Sequence, residues 1–250
     1  MADAETFVVV GAALAGAKAA EALREQGFRG KVVLIGTEAH RPYERPPLSK
    51  GYLAGKNDRE KVFVHPKDWY AEHDIEFLPE RTVIRIDRTG GSSGLAGTVE
   101  LNDGSTIGYS KLLLATGSSP RRLDLPGAGA IGVHQLRTLD DSDRLRDVLA
   151  TVSRLVVIGA GWIGLEVAAA ARQADVQVTV VETAELPLLR VLGPEVAQVF
   201  ADLHTEHGVD FRFGASIEQI TEETDRVTGV VLGDGTVIPA DAVLIGVGAA

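Results

Sequence analysis

The sequence predicts an α/β protein with two separate parallel sheets, and two observations lead to this fold class. First, two glycine-marked strand–turn–helix units recur in the chain, and their first glycines, Gly11 and Gly159, lie 148 residues apart. Second, the apolar runs beside each turn are short and continuous, which is typical of parallel strands covered on both faces. Such a unit places the N-terminus of a helix against a pyrophosphate. We therefore predict two Rossmann-like dinucleotide-binding domains, each in three layers, over residues 1–120 and 121–250.

The first unit reads FVVVGAALAGAKAAEALR. Its pattern predicts a strand over residues 7–10, a helix over residues 15–25 and a second strand over residues 32–35. Small side chains on one side of this helix would let it approach the sheet closely. The alanines expected to face the sheet are Ala15, Ala19 and Ala22.

The segment between the two units mixes an ordered loop with short strands. Residues 41–51, RPYERPPLSKG, are basic and rich in proline, and they predict an ordered loop without helix or strand. Asp103-Gly104 is a typical hairpin turn, and residues 121–129 have the composition of a crossover between domains. The other predicted elements are a helix over 66–73, strands over 82–87 and 98–102 joined by a glycine-serine loop at 90–97, and a buried strand over 112–115.

The second unit reads LVVIGAGWIGLEVAAAAR. It predicts a strand over residues 155–158, a helix over residues 163–173 with Ala168 and Ala169 toward the sheet, and a strand over residues 176–181. The later predicted elements are a helix over 195–207, strands over 210–213, 227–232 and 237–238, a hairpin at Asp234-Gly235, and a buried apolar strand over 242–247.

The composition excludes several functions. The chain has no cysteine, so it offers no disulfide, no thiolate nucleophile and no cysteine-bound zinc or iron–sulfur cluster. Its formal net charge of −10 argues against a broad nucleic-acid surface. No apolar stretch reaches the roughly 20 residues of a membrane span, and Asp3 and Glu5 are untypical of a signal peptide. We therefore expect a cytoplasmic protein that binds neither metal, membrane nor nucleic acid.

The second glycine turn has the complete dinucleotide-binding pattern. Gly159 permits the tight turn, Gly161 lets the backbone reach the pyrophosphate, and Gly164 lets the helix pack on the strand. Glu182 follows Gly159 by 23 residues, at the end of the next strand, where a carboxylate accepts both ribose hydroxyls and repels a 2′-phosphate. No Lys or Arg follows Glu182 before Arg190. The pattern therefore favours NADH over NADPH.

The first glycine turn departs from this pattern at one position, because Ala13 stands where the second glycine is expected. A methyl group at that position crowds a pyrophosphate. Alignment of the strands places Gly36 opposite Glu182. Either Thr37 or Glu38 must therefore take the ribose role in the first unit.

The proline-rich loop carries Arg45 and Lys50 just beyond the first of these two units. Such a loop is ordinarily a solvated basic surface. Here Pro42, Pro46 and Pro47 reduce the entropy that is lost when a loop is fixed around a ligand, which favours a binding role.

Five segments of the chain resemble one known family. The family is the FAD-dependent, NADH-dependent ferredoxin reductases of the oxygenase-coupled type, which include putidaredoxin and rubredoxin reductases. In chain order, the similar segments are FVVVGAALAGAKAAEALR, PYERPPLSKGYL, YSKLLLATGSSPR, LRTLDD and LVVIGAGWIGLEVA, and RPPLSK is the most specific. The resemblance covers the whole chain. It implies a glutathione-reductase-like arrangement, with FAD in the first unit and NADH in the second.

The resemblance also implies roles for individual residues. Lys50 and Glu166 would form a charged pair beside the flavin, and Val83 would meet the adenine end of FAD through its backbone. Apart from the resemblance, the place of Trp162 in the second glycine turn leaves two alternatives, because this aromatic side chain either flanks the nicotinamide or packs on its own sheet. The residues expected at the two cofactor sites are Gly11, Ala13, Leu14, Ala15, Gly16, Thr37, Glu38, Arg45, Lys50, Val83, Thr116, Gly117, Arg137, Gly159, Gly161, Trp162, Ile163, Gly164, Glu182, Arg190 and Gly248.

Two functions stay open on the sequence alone. The first is an NADH-dependent ferredoxin reductase, which passes hydride from NADH to FAD and then single electrons to a ferredoxin-type [2Fe–2S] protein or a rubredoxin. The second is a nucleotide-binding or interaction module, such as a fragment of an apoptosis-inducing-factor-like flavoprotein. Because members of the resembled family run well beyond 250 residues, we expect a truncated chain that binds FAD poorly. A monomer or weak dimer is expected.

Overall fold

The structure, a computed structural model, describes residues 5–89 and 95–250. Residues 90–94 of the predicted glycine-serine loop therefore lie outside the described part. Contacts within the chain divide the described residues into two units. The sequence assigned every residue up to 120 to the first domain, whereas residues 45–59 and 118–120 group with the second unit. The first unit contains residues 5–44 and 60–117, and the second contains residues 45–59 and 118–250.

The first unit contains a four-stranded parallel sheet and a three-stranded antiparallel sheet. Apolar β-branched runs form the parallel strands, and the glycine turn connects the first of them to a helix. Its helices and strands, in chain order, are β1 (Thr6–Val10), α1 (Leu14–Glu25), β2 (Lys31–Ile35), α2 (Trp69–Glu72), β3 (Ile75–Leu78), β4 (Val83–Asp87), β5 (Gly97–Leu101), β6 (Thr106–Tyr109) and β7 (Lys111–Leu114).

The first unit has three layers, with the parallel sheet in the middle. The strand order of this sheet is β3-β2-β1-β7. Because successive side chains of a strand point to opposite faces, β1 contributes to two cores. Val8 shares one core with Val99 of β5, whereas Val9 shares the other with Ala20 of α1. The three-layer α/β architecture predicted for this unit is therefore confirmed.

The buried face of α1 differs from the predicted one. Gly16 lies against the backbone of Gly11, where a methyl group would overlap the Gly11 carbonyl oxygen. This close contact sets the rotation of the helix about its axis, whereas the prediction used alanine spacing alone. The buried residues are therefore not the predicted Ala15, Ala19 and Ala22 but Gly16, Ala17 and Ala20.

Strand β7 lies at one edge of the parallel sheet and is not buried as predicted. Leu113 is 44% exposed and Leu114 is 57% exposed. The prediction rested on a continuous apolar run, which does not by itself separate an edge strand from a central one. The helix predicted over residues 66–73 is a single four-residue turn, α2, and strands β3 and β6 were not predicted.

After one additional strand and one additional helix, the second unit repeats the order of elements found in the first. It contains a five-stranded parallel sheet, a three-stranded antiparallel sheet and one glycine turn. Its helices and strands are β8 (Val133–His134), α3 (Leu139–Leu149), β9 (Arg154–Ile158), α4 (Trp162–Gln173), β10 (Gln177–Val181), α5 (Leu189–Glu206), β11 (Val209–Arg212), β12 (Ile217–Glu223), β13 (Arg226–Leu232), β14 (Val237–Pro239) and β15 (Ala242–Ile245).

The parallel sheet of the second unit has the order β11-β10-β9-β15-β8. The apolar run predicted as a buried strand at the end of the chain is β15, which lies between β9 and β8 and is buried throughout. On one face of the sheet, Val156 shares a core with Val230 of β13. On α4, Ala168 is buried as predicted, whereas Ala169 is half-buried. The predicted three-layer architecture is confirmed here as well.

Five features of the second unit differ from the prediction. Strand β8 and helix α3 were not predicted. The helix predicted over residues 195–207 is the later part of α5, which begins at Leu189 and is interrupted at Gly193 with φ 74°. Strand β12 was not predicted, because its sequence IEQITEE is mostly polar. The predicted loop over residues 41–51 contains one 3₁₀ turn, Pro46–Ser49.

Another 3₁₀ turn spans Arg59–Val62. Within the described parts of the chain, no helix combines the length and the apolar character needed to cross a bilayer.

Candidate functional site

The glycine turn of the second unit is built by two close backbone contacts. Gly159 has φ 101°, and a Cβ atom on it would lie 2.7 Å from the carbonyl oxygen of Gly246. Gly164 lies against Gly159, where a Cβ atom would overlap the Gly159 carbonyl oxygen. Neither position accepts a side chain, because the first needs a positive φ and both touch backbone.

Gly161 has a different role from the other two glycines of that turn. It precedes α4 with φ −80° and ψ −176°, an extended conformation that any residue can adopt. A Cβ atom on Gly161 would have Gly246 O at 4.0 Å as its nearest neighbour. The protein itself therefore does not require glycine at this position. The open space above Gly161, at the N-terminus of a helix, fits a pyrophosphate that approaches the backbone closely.

The glycine turn of the first unit has the same backbone. Gly11 has φ 111°, and a Cβ atom on it would overlap the carbonyl oxygen of Ala115. Gly16 lies against Gly11 in the same way as Gly164 lies against Gly159. Ala13 precedes α1 with φ −102° and ψ −166°, so its methyl group sits on an extended backbone without strain. The alanine that interrupts the glycine pattern therefore leaves the turn intact.

Glu182 lies beside the turn, directly after β10. Its Oε2 atom accepts a hydrogen bond from the backbone N–H of Ala160 at 2.8 Å, and its Oε1 atom accepts one from Ala184 N–H at 3.0 Å. The hydroxyl of Thr183 also donates to Oε1 at 3.1 Å. Because a carboxylate has about four lone-pair sites and these donors occupy three of them, it can still accept a hydrogen bond from a ribose hydroxyl. The backbone thus holds an acceptor at the end of the second strand of this unit.

In the first unit, the position that corresponds to Glu182 is occupied by Gly36, which has no side chain. Gly36 N–H donates to Leu78 O at 3.0 Å, and Glu182 N–H donates to Arg212 O at 2.9 Å, so the two residues occupy equivalent places in their sheets. A Cβ atom on Gly36 would lie 2.6 Å from the methyl carbon of Ala12. A larger residue is excluded there.

The two residues proposed for the ribose role in the first unit follow Gly36. Thr37 is exposed, and Glu38 is half-buried. The carboxylate of Glu38 accepts a hydrogen bond from the hydroxyl of Tyr43. Glu38 therefore has a defined orientation, and its ribose role stays a prediction.

Lys50 and Glu166 lie together, as the sequence predicted. Glu166 projects from the N-terminal half of α4, and its Oε1 atom lies 2.9 Å from Lys50 Nζ. The hydroxyl of Ser49 donates to the other oxygen, Oε2, at 2.5 Å. Ser49 was not singled out from the sequence. No sequence feature marks Ser49 as a partner of Glu166, because 117 residues separate the two and a serine in a loop can form many other contacts.

The segment 45–59 is attached to the rest of the second unit by several further contacts. Ser142 of α3 donates its hydroxyl proton to Leu48 O at 2.7 Å, and the Tyr52 hydroxyl donates to Asp143 Oδ1 at 2.5 Å. The guanidinium of Arg59 also bonds Asp143.

The charge of Asp143 responds to these contacts. Burial acts to raise the pKa of Asp143, but the hydrogen bonds from Tyr52 and Arg59 outweigh it and lower that pKa. Asp143 therefore acts as a charged anchor for the segment.

The remaining predicted residues lie on the described elements as follows. Arg45 donates a hydrogen bond to the carbonyl oxygen of Arg137, within the second unit. Trp162 opens α4, is 46% exposed and contacts the Phe200 ring edge-to-face at 5.8 Å. Leu14 and Ala15 begin α1, Val83 begins β4, Thr116 and Gly117 follow β7, Ile163 lies in the first turn of α4, Arg190 is exposed on α5, and Gly248 accepts a hydrogen bond from Arg121 N–H.

Two parallel sheets, each with a glycine turn leading into a helix, define an α/β protein of the two-dinucleotide class. The family model of the pyridine nucleotide-disulphide oxidoreductases matches residues 5–250, and the chain belongs to this family. Although the family is named for disulphide chemistry, this chain contains no cysteine.

Ferredoxin reductases are among the relatives that resemble this chain. Rhodocoxin reductase of Rhodococcus erythropolis is 44% identical over 97% of this chain and 56% of its own length. Putidaredoxin reductase of Pseudomonas putida is 41% identical over 98% of this chain and 58% of its own length. The resemblance inferred from the five sequence segments is therefore confirmed. The chain spans little more than half the length of the curated relatives it matches.

Solved structures give the same result. The ferredoxin reductase for the CYP199A2 system from Rhodopseudomonas palustris has a TM-score of 0.92 and 41% identity, over 98% of this chain and 59% of that chain. The covalent putidaredoxin reductase–putidaredoxin complex also has a TM-score of 0.92, at 40% identity, over 98% of this chain and 58% of that chain.

Proposed function

We propose that this chain belongs to an NADH-dependent ferredoxin reductase, in which it forms the dinucleotide-binding part. The observation that carries the proposal is the doubled glycine turn, with the same backbone in both units and open space above Gly161. Relatives that are named ferredoxin reductases and share about two fifths of the sequence support this reaction over that of a simple binding module. The cofactors of the proposed reaction are FAD and NAD(H).

The first unit is proposed to hold FAD. The turn at Gly11 brings the backbone N–H groups at the start of α1 toward the pyrophosphate, and a helix N-terminus favours an anion. Ala13 adds one methyl group at this place without strain in the backbone. When bound, FAD accepts a hydride and releases electrons one at a time, which is the chemistry that an iron–sulfur acceptor needs.

The second unit is proposed to hold NADH. Glu182 would accept hydrogen bonds from the adenosine ribose, and its negative charge would repel the extra phosphate of NADPH. Gly161 would let the pyrophosphate approach the start of α4. The position of Glu182 beside Ala160 and Ala184 supports this role, because the backbone holds the carboxylate in place before any ligand arrives.

Lys50 and Glu166 are proposed to act where the reacting rings meet, beside the flavin of FAD and the nicotinamide of NADH. The pair combines a positive and a negative group at 2.9 Å, near the N-terminal half of the helix that follows the glycine turn. A paired lysine can orient a polar group of the ligand by donating a hydrogen bond to it, and the partner carboxylate limits the cost of bringing that charge out of water.

The proposed acceptor is a ferredoxin-type [2Fe–2S] protein or a rubredoxin. Support comes from a relative named as the ferredoxin reductase subunit of a demethylase, and from the putidaredoxin reductase–putidaredoxin complex. The chain supplies no thiol, so a cysteine relay from this part of the protein is not available. The monomeric or weakly dimeric state and the cytoplasmic location stay predictions.

Anaerobic titration tests the proposal. The purified chain is supplied with FAD and then titrated with NADH, while the visible flavin absorbance and the binding of NADH are followed separately. Loss of the flavin colour, followed by reduction of an added [2Fe–2S] ferredoxin, is the expected result. Because a truncated chain is expected to bind FAD poorly, FAD is added in large excess, and a protein that still binds NADH but not FAD would favour a nucleotide-binding module. A protein that binds neither nucleotide would contradict both assignments.

A further inference from the structure

Ser49 and Lys50 are neighbours in the chain, and they bind the two oxygens of one carboxylate. The Ser49 hydroxyl donates to Glu166 Oε2 at 2.5 Å, and Lys50 Nζ lies 2.9 Å from Glu166 Oε1. All three residues belong to the second unit. Each oxygen of the carboxylate thus has one donor from the same short segment.

The environments of these three side chains differ. Ser49 is 2% exposed, whereas the Lys50 side chain is 52% exposed and the Glu166 side chain is 24% exposed. A buried hydroxyl that bonds a charged group makes a stronger contact than a neutral pair, and water cannot readily replace it. Ser49 is therefore the fixed partner of the carboxylate, and Lys50 is the partner that faces solvent.

Lys50 has one N–H donor left after the contacts that its ammonium group makes with the described residues. An ammonium group has three N–H donors. One bonds Glu166 Oε1, and another bonds the carbonyl oxygen of Pro46 at 3.2 Å. The last N–H is available to a ligand, and its direction depends on where the Glu166 carboxylate holds the nitrogen atom.

We infer that Ser49 is a positioning residue, which fixes the Glu166 carboxylate so that Lys50 directs its remaining N–H toward a bound nicotinamide nucleotide. This inference rests on the proposed function, because that function supplies the nucleotide. Without the Ser49 hydroxyl, Oε2 loses its buried donor and the carboxylate can rotate. Lys50 then occupies several positions, and fewer of them suit the ligand.

A second buried serine provides a matched control. Ser142 is fully buried, and its hydroxyl donates to Leu48 O at 2.7 Å, so it anchors the same 3₁₀ turn from helix α3. Ser142→Ala removes one buried hydroxyl from the attachment of the segment but leaves both oxygens of Glu166 bonded. A purely structural role of Ser49 would make Ser49→Ala behave like Ser142→Ala.

The test compares Ser49→Ala, Ser49→Cys and Ser142→Ala in the full chain with three measurements. These are thermal unfolding, the dissociation constant of NADH, and the rate at which an acylating reagent modifies Lys50 without nucleotide, read by mass spectrometry. Ser49→Ala is expected to weaken NADH binding about tenfold, which corresponds to the loss of one hydrogen bond to a charged group. It should also speed modification of Lys50 several-fold.

The two control variants separate the possible outcomes. Ser142→Ala should lower the unfolding temperature without changing either Lys50 modification or NADH affinity. Ser49→Cys keeps a weak donor of similar size and should give intermediate values. Equal Lys50 modification rates in Ser49→Ala, Ser142→Ala and the parent chain would overturn the inference, even if NADH binds.

Failure of the proposed function has a different signature. If the parent chain does not bind NADH, but Lys50 modification still responds to Ser49→Ala and not to Ser142→Ala, the link from Ser49 to Lys50 stands and the nucleotide assignment falls. Should Ser49→Ala fail to fold, Ser49→Cys provides the same comparison.

Discussion

The two glycine turns share a backbone but differ in the residues around it. Gly11 and Gly159 both have φ above 100°, and each is followed by a glycine packed against it five residues later. The units differ at the end of the second strand, where one has Gly36 and the other has Glu182. The contacts of the backbone therefore determine the turn, whereas the residues that face the ligand are free to differ between the units.

A glycine motif that is broken at its middle position is compatible with an intact turn. In a glycine pattern of this kind, the first and third positions are required by the protein's own packing, and the middle position is required only by the ligand. Ala13 occupies a middle position with an extended backbone. The departure from the pattern thus carries information about the ligand site of the first unit and none about its fold.

The largest expected effect comes from the glycines that contact backbone. Gly16→Ala and Gly164→Ala should each destabilise the protein by about 3 kcal/mol or more, because the new methyl group overlaps a carbonyl oxygen and separates helix from strand. Gly161→Ala should leave stability nearly unchanged. Denaturant unfolding of the three variants measures the difference, and equal losses of stability would remove the distinction between the two kinds of glycine.

The middle position should affect binding rather than folding. Gly161→Ala is expected to raise the dissociation constant of NADH about thirtyfold, roughly 2 kcal/mol, because a methyl group occupies the space above the turn. Isothermal titration calorimetry provides the measurement. In the first unit the reverse change, Ala13→Gly, should leave FAD retention equal or improved. Weaker FAD binding by Ala13→Gly would show that the two middle positions are not equivalent.

The acid of the second unit should govern the choice of nucleotide. Glu182→Ala removes the ribose acceptor and its charge. NADH should therefore bind about tenfold more weakly, which corresponds to about 1.4 kcal/mol, while the affinity for NADPH should fall less. The matched control is Glu185→Ala, which removes an exposed acid three residues later. An unchanged ratio of NADH to NADPH affinity in Glu182→Ala would refute the ribose assignment.

The smallest expected effect is a dependence of the stability of the first unit on pH. Burial lowers the pKa of His65, against an opposing influence from Glu21. The folded protein therefore binds the proton less readily than the unfolded chain, so stability is complete above the unfolded pKa of about 6.5 and falls as the pH drops below it. We expect a loss of about 1 kcal/mol between about pH 7.5 and pH 5.

The variant His65→Phe tests whether His65 is the source of this pH dependence. It keeps an aromatic ring beside Trp69, which stacks on His65 at 3.8 Å, but it cannot titrate. In a Trp162→Phe background, the fluorescence of Trp69 reports urea unfolding of the first unit, since the chain has two tryptophans. The same pH slope with and without His65 would assign the pH dependence to other groups of the first unit.

The sequence was sufficient to predict the repeated strands, the two turns and the place of the acid Glu182 at the end of a strand. Apolar runs and glycine spacing are local signals, and the structure agrees with them to within a residue or two. Strands β3, β6, β8 and β12 and helix α3 were missed. Three of these strands have four residues or fewer, β12 is mostly polar, and α3 is rich in charged residues. Strands β6 and β12 pair with their neighbours through backbone hydrogen bonds, which leave little trace in the side-chain pattern.

Other features could not be predicted, because they depend on contacts between distant residues. The rotation of α1 follows from the contact of Gly16 with Gly11, which the alanine spacing does not report. The hydrogen bond from Ser49 to Glu166 joins two elements that are far apart in sequence. The sequence identified the charged pair through a family resemblance and missed the neutral hydroxyl that accompanies it.

The grouping of residues 45–59 with the second unit has a consequence for dissecting the protein. A gene fragment that begins at residue 118 would encode the parallel sheet of the second unit but not the segment that Ser142, Asp143 and Glu166 bond. Such a fragment would leave the Ser142 hydroxyl without its acceptor and Glu166 without its donors Ser49 and Lys50, while Asp143 would keep only the contact with Arg146 among its described partners. An independent second unit requires a rearranged gene, in which residues 45–59 are joined to residues 118–250 by a designed linker.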